Sequence, residues 1–228
     1  MNGRSFVFAG VMISIGLLSN GGIMGASLTE STTMKTEIEV KFFVNKNDFE
    51  QRLHLLGGAV ATPRRLMRRQ LFAFPVTLRK PNLEQQARVR DEGDRITMTL
   101  KESTIPRTMS SVQELEIIIN NFDAAVQIFM MSGYEPTTYQ ENYRTSWIYE
   151  GCCVEIDEWP GLRSFAEIEA PSEAELKRVA ALLNIELTSF MSCSLFDLYE
   201  QELKLDAKKM RRLARLTFEN FELVTKGF

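Results

Sequence analysis

Glu37-Ile-Glu-Val-Lys41 sets two carboxylates and one ammonium at every second position. Successive side chains of a strand point to opposite faces, so Glu37, Glu39 and Lys41 share one face and Ile38 and Val40 the other. Such a face can hold a metal through its carboxylates and an anion through its amine. The pattern recurs along the chain. Arg88 and Arg90 flank Val89. Arg95, Thr97, Thr99 and Lys101 alternate with Ile96, Met98 and Leu100, and Glu114 and Glu116 alternate with Leu115, Ile117 and Ile119. Arg144 and Ser146 alternate with Tyr143, Thr145 and Trp147. Glu155 and Asp157 alternate with Val154 and Ile156, and Glu167 and Glu169 with Ala166, Ile168 and Ala170.

Two architectures satisfy this alternation. In an ordinary sheet the apolar face packs on a core and the charges face water. In a closed barrel the charges line the interior and helices cover the outside. Carboxylates at i and i+2 on four separate strands repel one another on a shared face. The acids Glu37, Glu39, Glu114, Glu116, Glu155, Asp157, Glu167 and Glu169 therefore need cations. Lys41, Arg88, Arg90, Arg95, Lys101 and Arg144 supply some, and a divalent metal can supply more, since hard cations prefer carboxylate oxygens.

These residues resemble, in order, the motifs of the CYTH domain. This is the triphosphate tunnel metalloenzyme superfamily of class IV adenylate cyclases, thiamine triphosphatases and inorganic triphosphatases. Glu37-Ile-Glu-Val-Lys41 resembles its opening ExExK, Arg88-Val-Arg90 its RxR strand and Thr99-Leu-Lys101 its TLK strand. Glu114-Leu-Glu116 resembles the central ExE, Asp157-Glu-Trp-Pro-Gly161 the DxxPG turn and Glu167-Ile-Glu169 the closing ExE. The likeness runs from about Lys35 to Glu202.

The resemblance implies an α+β fold, an eight-stranded antiparallel barrel forming a triphosphate tunnel with helices outside. Strands are expected at 36–44, 68–74, 86–91, 94–101, 111–119, 138–149, 151–158 and 165–170. Asp91-Glu-Gly-Asp94 suits a hairpin turn, as does Tyr149-Glu-Gly-Cys152, where Gly151 can take positive φ. One helix is expected after Asn47/Asp48, stopping at Gly57-Gly58, and one after Asn121/Asp123, stopping at Gly133. A third starts at Ser172, with Glu175 completing a capping box. Helix is expected again from about Leu195.

The resemblance also implies roles. Lys41, Arg88, Arg90, Lys101 and Arg144 would bind the phosphates, since guanidinium forks match phosphate oxygens and lysines add point charges. Glu37, Glu39, Glu114, Glu116, Asp157, Glu167 and Glu169 would hold Mg²⁺ or Mn²⁺, with Glu39 and Lys41 acting in catalysis. The expected substrate is a triphosphate: inorganic tripolyphosphate, thiamine triphosphate or a nucleoside triphosphate. The reading adopted is metal-dependent hydrolysis, which asks only for a triphosphate and water. Cyclisation of ATP to cyclic AMP and pyrophosphate by a class IV-type adenylate cyclase needs an adenine pocket, which the sequence does not identify. A non-catalytic polyphosphate-binding module is the third reading. Two positions depart from the family pattern. Asn142 stands where a second basic residue is common on the strand of Arg144, which weakens the clamp on that side. Arg163 follows Leu162 where glycine is usual, and is read as solvated.

Residues 1–33 fall outside the resemblance. They read as a signal-like segment, Arg4 preceding the apolar run Phe6–Leu18, or as an over-extended start upstream of Met34. The second reading is adopted, with the tunnel domain at 34–205 and a cytoplasmic location unless residues 1–33 are a genuine signal. Residues 206–228 are expected as a basic amphipathic helix, its Met210, Leu213 and Leu216 packing on the barrel. The 228 residues are 44% hydrophobic and 25% charged, with net charge −3, a normal globular balance without a nucleic-acid-binding signature or stable membrane association. The three cysteines form no disulfide framework or zinc motif. His54, Trp147 and Trp159 are read as surface or packing residues, and Met130-Met131 as helix core.

Overall fold

The computed structural model describes residues 6–8, 11–13 and 34–226. β1 (Phe6–Phe8) and β2 (Val11–Ile13) pair antiparallel within a unit that ends at Met34. The two readings of residues 1–33 otherwise lie outside the described residues.

The second unit begins with β3 (Lys35–Glu37) and β4 (Glu39–Phe43), followed by α1 (Lys46–Leu55), β5 (Ala59–Ala73), β6 (Leu83–Asp91), β7 (Ile96–Thr104) and β8 (Val112–Ile119). Then come α2 (Phe122–Met131), β9 (Glu135–Tyr149), β10 (Cys152–Glu158), β11 (Phe165–Glu169) and α3 (Glu173–Leu182). The chain ends in α4 (Leu195–Leu203), α5 (Ala207–Met210), β12 (Arg215–Leu216) and α6 (Phe221–Thr225). One sheet of ten strands runs β3-β8-β7-β6-β5-β9-β10-β11-β4, with β12 added beside β9. Every pairing on that path is antiparallel.

The ends of the path are consecutive in the chain. At Ile38 the first stave changes partner: the carbonyl of Ile38 accepts from the Ala170 N–H at 3.0 Å, and the Glu39 N–H turns to Met109 at 2.9 Å. β3 and β4 are thus two halves of one stave, and the sheet is a nearly closed barrel. The ten strands exceed the eight expected for this reason and because β12 is an addition.

Alternation decides which face goes where. Val40, Phe42, Val154, Ile156 and Ile168 point outward and are at most 1% exposed. They pack with Phe49 and Leu53 of α1 and Leu176, Val179 and Leu183 of the α3 region. Ala87 and Val89 pack on Ala125 and Phe129 of α2. Each large aliphatic side chain buried this way contributes about 1.5–3 kcal/mol. That outer layer holds the staves together and leaves the charged face no place but the interior.

The helices start where short polar side chains can cap them. Asn121 accepts from the Ala124 N–H at 2.9 Å, and Ser172 from the Glu175 N–H at 3.2 Å. The Glu175 carboxylate pairs with Arg178 at 3.0 Å, so only one arm of the expected box forms at α3. α1 starts earlier than expected, because Asn45 is its cap. Met130 and Met131 are 43% and 87% exposed, not core, since α2 buries Ala125 and Phe129 one turn apart. His54 is exposed on α1, and Trp147 is buried in the outer core.

Residues 206–226 do not form the expected single helix. α5 is one turn, and the chain then runs as β12 parallel to β9 and turns into α6. Met210, Leu216 and Phe221 still reach one cluster, with Trp159, Phe165, Phe196 and Tyr199. Strand pairing to β9 satisfies backbone groups while keeping these apolar side chains inward. Gly161 is fitted to that cluster. It has φ +68°, and a Cβ there would lie 1.9 Å from the Phe221 ring. Gly161→Ala is expected to destabilise the fold by about 1–3 kcal/mol through overpacking and left-handed strain. Thermal denaturation would show a Tm lower by at least about 2 °C, and an unchanged Tm would mean that Phe221 does not dock there.

Candidate active site

The barrel interior gathers the charged residues singled out above. β4 contributes Glu39 and Lys41, and β11 contributes Glu167 and Glu169, in the register Glu167↔Lys41 and Glu169↔Glu39. β10 brings Glu155 and Asp157, with Asp157 opposite Arg144 of β9. β7 and β8 set Lys101 opposite Glu114 and Thr99 opposite Glu116, and β6 places Arg88 opposite Thr99. Glu37 reaches the same wall from β3.

Ion pairs cross this interior. Lys41 Nζ lies 2.7 Å from Glu39 and 3.1 Å from Glu167. Lys101 Nζ lies 2.8 Å from Glu37 and also pairs with Glu114. Arg88 pairs with Glu116 at 3.3 Å and Arg90 with the same carboxylate at 3.7 Å. Arg144 is the hub of the far wall. It donates to Asp157 at 2.6 and 2.7 Å, to Glu167 at 2.7 Å and to Glu155.

Burial works against every charge here, and the sign of each shift shows whether partners outweigh it. Burial would lower Lys41, but Glu167 and Glu39 hold its pKa above the ordinary lysine value. Burial likewise opposes Lys101, and Glu37 and Glu114 outweigh it. Glu167 is held low, since Lys41 and Arg144 overcome its burial. Glu37 and Glu155 go the other way, both raised chiefly by burial. Withdrawal from water, then Glu155 and Glu39, push Glu169 up to about 7, although part of its side chain stays accessible.

Several interior residues escaped sequence reasoning. Arg69 of β5 lies in register with Arg90 and is 8% exposed. It donates to Asn142 Oδ1, while Asn142 Nδ2 donates to Asp157 at 3.0 Å. Asn142 therefore does not leave that wall without a base, because Arg69 stands beside it. Burial, then Arg90, Arg88 and Arg144, push Arg69 well below the ordinary arginine pKa. Glu92 of the β6–β7 turn is 2% exposed and pairs with Arg90, with Arg95 at 3.0 Å and with Arg65 at 3.7 Å. Cys153 shares the face of Glu155 and is opposite Glu169. Arg163 lies outside, 62% exposed, paired with Glu202 at 2.6 Å and stacked over Phe43. Trp159 does more than fill space, since the Arg69 guanidinium sits 4.7 Å from its ring centre.

An interior of this kind can take a polyanion on its guanidinium and ammonium groups and a hard cation on its carboxylates. Among the described residues no three metal-ligating side chains already surround a single point. The carboxylates are instead neutralised by lysine and arginine, apart from Glu169, which faces Glu39 across the strand pair.

Comparison with known proteins agrees with this architecture. The CYTH domain matches residues 35–213. A conserved hypothetical protein from Pyrococcus furiosus is 20% identical, with a TM-score of 0.60 over 71% of this chain and 99% of its own. The PH1012 protein from Pyrococcus horikoshii is 20% identical, with a TM-score of 0.59 over 71% of this chain and 98% of its own. A candidate adenylate cyclase from Vibrio parahaemolyticus is 17% identical, with a TM-score of 0.58 over 73% and 98%. At such identities these likenesses show the fold. No curated protein matches the sequence significantly. No described helix is long and apolar enough to cross a membrane. With motifs, barrel and family match covering the same residues, the chain belongs to the CYTH domain family.

Proposed function

We propose that this protein is a divalent-metal-dependent phosphohydrolase that takes a triphosphate into the barrel. The observation that carries the reading is the inversion of the barrel: apolar residues pack outward on helices, while Arg88, Arg90 and Arg144, each under a tenth exposed, converge inside. Burying three guanidinium groups beside one another is unfavourable unless anions meet them. In this structure the carboxylates are those anions. A triphosphate and a cation would exchange the partners, phosphate oxygens going to Lys41, Arg88, Arg90, Lys101 and Arg144, and the freed carboxylates to the metal.

The donor set fits a hard cation, being made of carboxylate oxygens with no histidine among the proposed ligands. Glu37, Glu39, Glu114, Glu116, Asp157, Glu167 and Glu169 would hold it, and Glu169, which has no cation partner among the described residues and lies opposite Glu39, is where a positive charge is most needed. Mg²⁺ or Mn²⁺ bound there supplies electrostatic relief for charge developing on the phosphoryl oxygens. The protein's own part is positioning and preorganised charge, which is most of what phosphoryl transfer requires. Glu39 and Lys41, hydrogen bonded at 2.7 Å, are the proposed pair at the reacting end. Hydrolysis is favoured over cyclisation because the Trp159 ring is covered by Arg69 and 4% exposed, so it offers no platform to adenine.

The test is purified protein with Mg²⁺ or Mn²⁺ and, separately, tripolyphosphate, thiamine triphosphate and ATP. Orthophosphate release is expected. Cyclic AMP with pyrophosphate would establish cyclisation instead, and tight binding without turnover would establish a binding module. Glu39→Gln is expected to weaken Mn²⁺ binding by about 10–100-fold in calorimetry. Unchanged affinity would remove Glu39 from the metal site.

A further inference from the structure

We propose that Arg69 is a further substrate-binding residue, an interior guanidinium held without a carboxylate so that a phosphate can take it. The inference rests on the triphosphate reading above and adds to it a ligand on β5, a stave to which no phosphate-binding residue has been assigned.

Three observations converge. The first is pairing. Arg88, Arg90 and Arg144 each lie within 4 Å of at least one carboxylate. Arg69 is as buried as they are, at 8% exposed, yet no carboxylate lies within that distance of it among the described residues. Its Nε has no hydrogen-bond partner, and neither do the Nε atoms of Arg88 and Arg90. A buried cation without a counter-charge is costly, and a fold that places one beside three other guanidinium groups leaves a site for an anion.

The second is support. Arg69 lies over the Trp159 ring, 4.7 Å from its centre, and donates to Asn142 Oδ1. An aromatic face and an amide oxygen hold a guanidinium in place without neutralising it. A carboxylate in either position would have quenched the charge.

The third is the role of Asn142. Its amide accepts from Arg69 on one side and donates to Asp157 at 3.0 Å on the other. Asp157 in turn receives Arg144 Nε at 2.7 Å. Asn142 is a neutral adaptor that fixes the spacing of two guanidinium groups on adjacent staves. A basic residue at 142 would repel Arg69. The positive charge of this wall has moved one strand over, from β9 to β5.

The ligand class is a multiply charged phosphate chain, since Arg69 lies in register with Arg90 and close to Arg88 and Arg144, more guanidinium groups than a single phosphate would occupy. The probe is inorganic tripolyphosphate in EDTA, with affinity read by calorimetry so that no turnover is needed. Arg69→Gln is expected to raise Kd by about 10–100-fold, the effect of losing a charge-assisted hydrogen-bond pair. The double variant Arg69→Gln/Asn142→Arg is expected to recover most of that loss, because it returns the charge to the same wall. Arg69→Lys, which keeps the charge but not the fork, is expected to raise Kd at least about fivefold, and it decides the matter if Arg69→Gln does not fold. Arg88→Ala serves as the reference. If Arg88→Ala weakens binding tenfold and the Arg69 variants stay within twofold of the parent, Arg69 is structural only and the inference is wrong while the tunnel reading stands. If the parent chain binds no tripolyphosphate, or Arg88→Ala binds as well as the parent, the tunnel reading falls and this inference with it.

Discussion

Arg90→Ala is expected to lower kcat/KM for tripolyphosphate with Mg²⁺ by about 10²–10³-fold, the loss seen when one preorganised donor to developing charge is removed. Arg90 is 8% exposed, and its guanidinium reaches both Glu92 and Glu116. Burial opposes its charge, yet Glu92 and Glu116 keep its pKa above the ordinary arginine value, so it stays cationic at any working pH. A fixed cation in a site shielded from water costs no reorganisation when phosphoryl charge develops. Arg90→Lys would not substitute, because an ammonium cannot fork across two phosphate oxygens. The loss should appear in kcat as well as KM, since the contact strengthens as charge builds on the transferring group. The variant keeps Arg65 and Arg95 on Glu92, at 3.7 and 3.0 Å, so that carboxylate remains paired and the fold remains measurable. A well-folded Arg90→Ala protein within threefold of the parent kcat/KM would show that the reaction takes place elsewhere.

The exchange of partners ties this expectation to the rest of the interior. Apart from Arg69, each cation proposed to meet phosphate is neutralised in this structure by an acid proposed to meet metal, as Lys41 is by Glu39 and Glu167, Lys101 by Glu37 and Glu114, and Arg144 by Asp157 and Glu167. Each set offsets most of the other's charge, and either set alone, with charges of one sign gathered in the interior, would be prohibitive. On the proposed reading a triphosphate would take the cations, and a metal the carboxylates they release.

What the sequence shows of this follows from how regular each stave is. On β4, β6, β10 and β11 the pleat is uninterrupted, so parity alone assigns Lys41, Arg88, Arg90, Glu155, Asp157 and Glu167 to one face. β5 is different. Its pairing with β9 shifts register between Val60 and Thr62, between Thr62 and Arg65, and between Gln70 and Phe72. Pro63, which has no N–H to give a ladder, sits within the second shift. Parity cannot be carried through such bulges, and Arg69 shares its face with the apolar Met67 and Leu71, so no alternation of charge marks it out. The expected start of that strand at 68, against the observed Ala59, has the same origin. The C-terminal segment failed for another reason. Its apolar spacing of three fits a helix, but the backbone of β9 offers Tyr139 and Gln140 as pairing partners to Arg215 and Leu216. Tertiary pairing of that kind leaves no trace in the segment itself.

Glu92 is the residue whose loss should cost the fold most. It follows Asp91 and precedes Gly93 in a turn, where an acid is ordinarily solvated, yet here it is 2% exposed. The Gly93 N–H is tied to Asp91 at 2.8 Å and the Glu92 N–H to the Arg95 carbonyl at 2.8 Å, which turns the Glu92 side chain inward. There it meets Arg90, Arg95 and Arg65. Glu92→Gln leaves three guanidinium groups facing a neutral amide, and removing one partner of a buried ion pair costs about 3–5 kcal/mol. In a chain of this size that lowers Tm by roughly 6 °C or more. The pH dependence gives an independent measure. Burial would raise Glu92, but Arg90, Arg95, Arg144 and Arg88 outweigh it and hold the group at about 2. A depressed carboxylate contributes stability that is present above its unfolded value of about 4.5 and is lost as pH falls through the folded one. The parent protein should therefore lose about 3 kcal/mol from this group between pH 4.5 and 2, at about 1.4 kcal/mol for each pH step of one. Glu92→Gln should be less stable than the parent at pH 7 and converge with it near pH 2. Chemical denaturation across that range reads both effects. A variant within 1 kcal/mol of the parent at pH 7, or one that keeps the full steepness below pH 4.5, would show that the three arginines find their counter-charge in Glu116 and Glu155 instead. The same variant should gain more Tm from added tripolyphosphate than the parent does, because the anion then supplies the charge that Glu92 no longer brings.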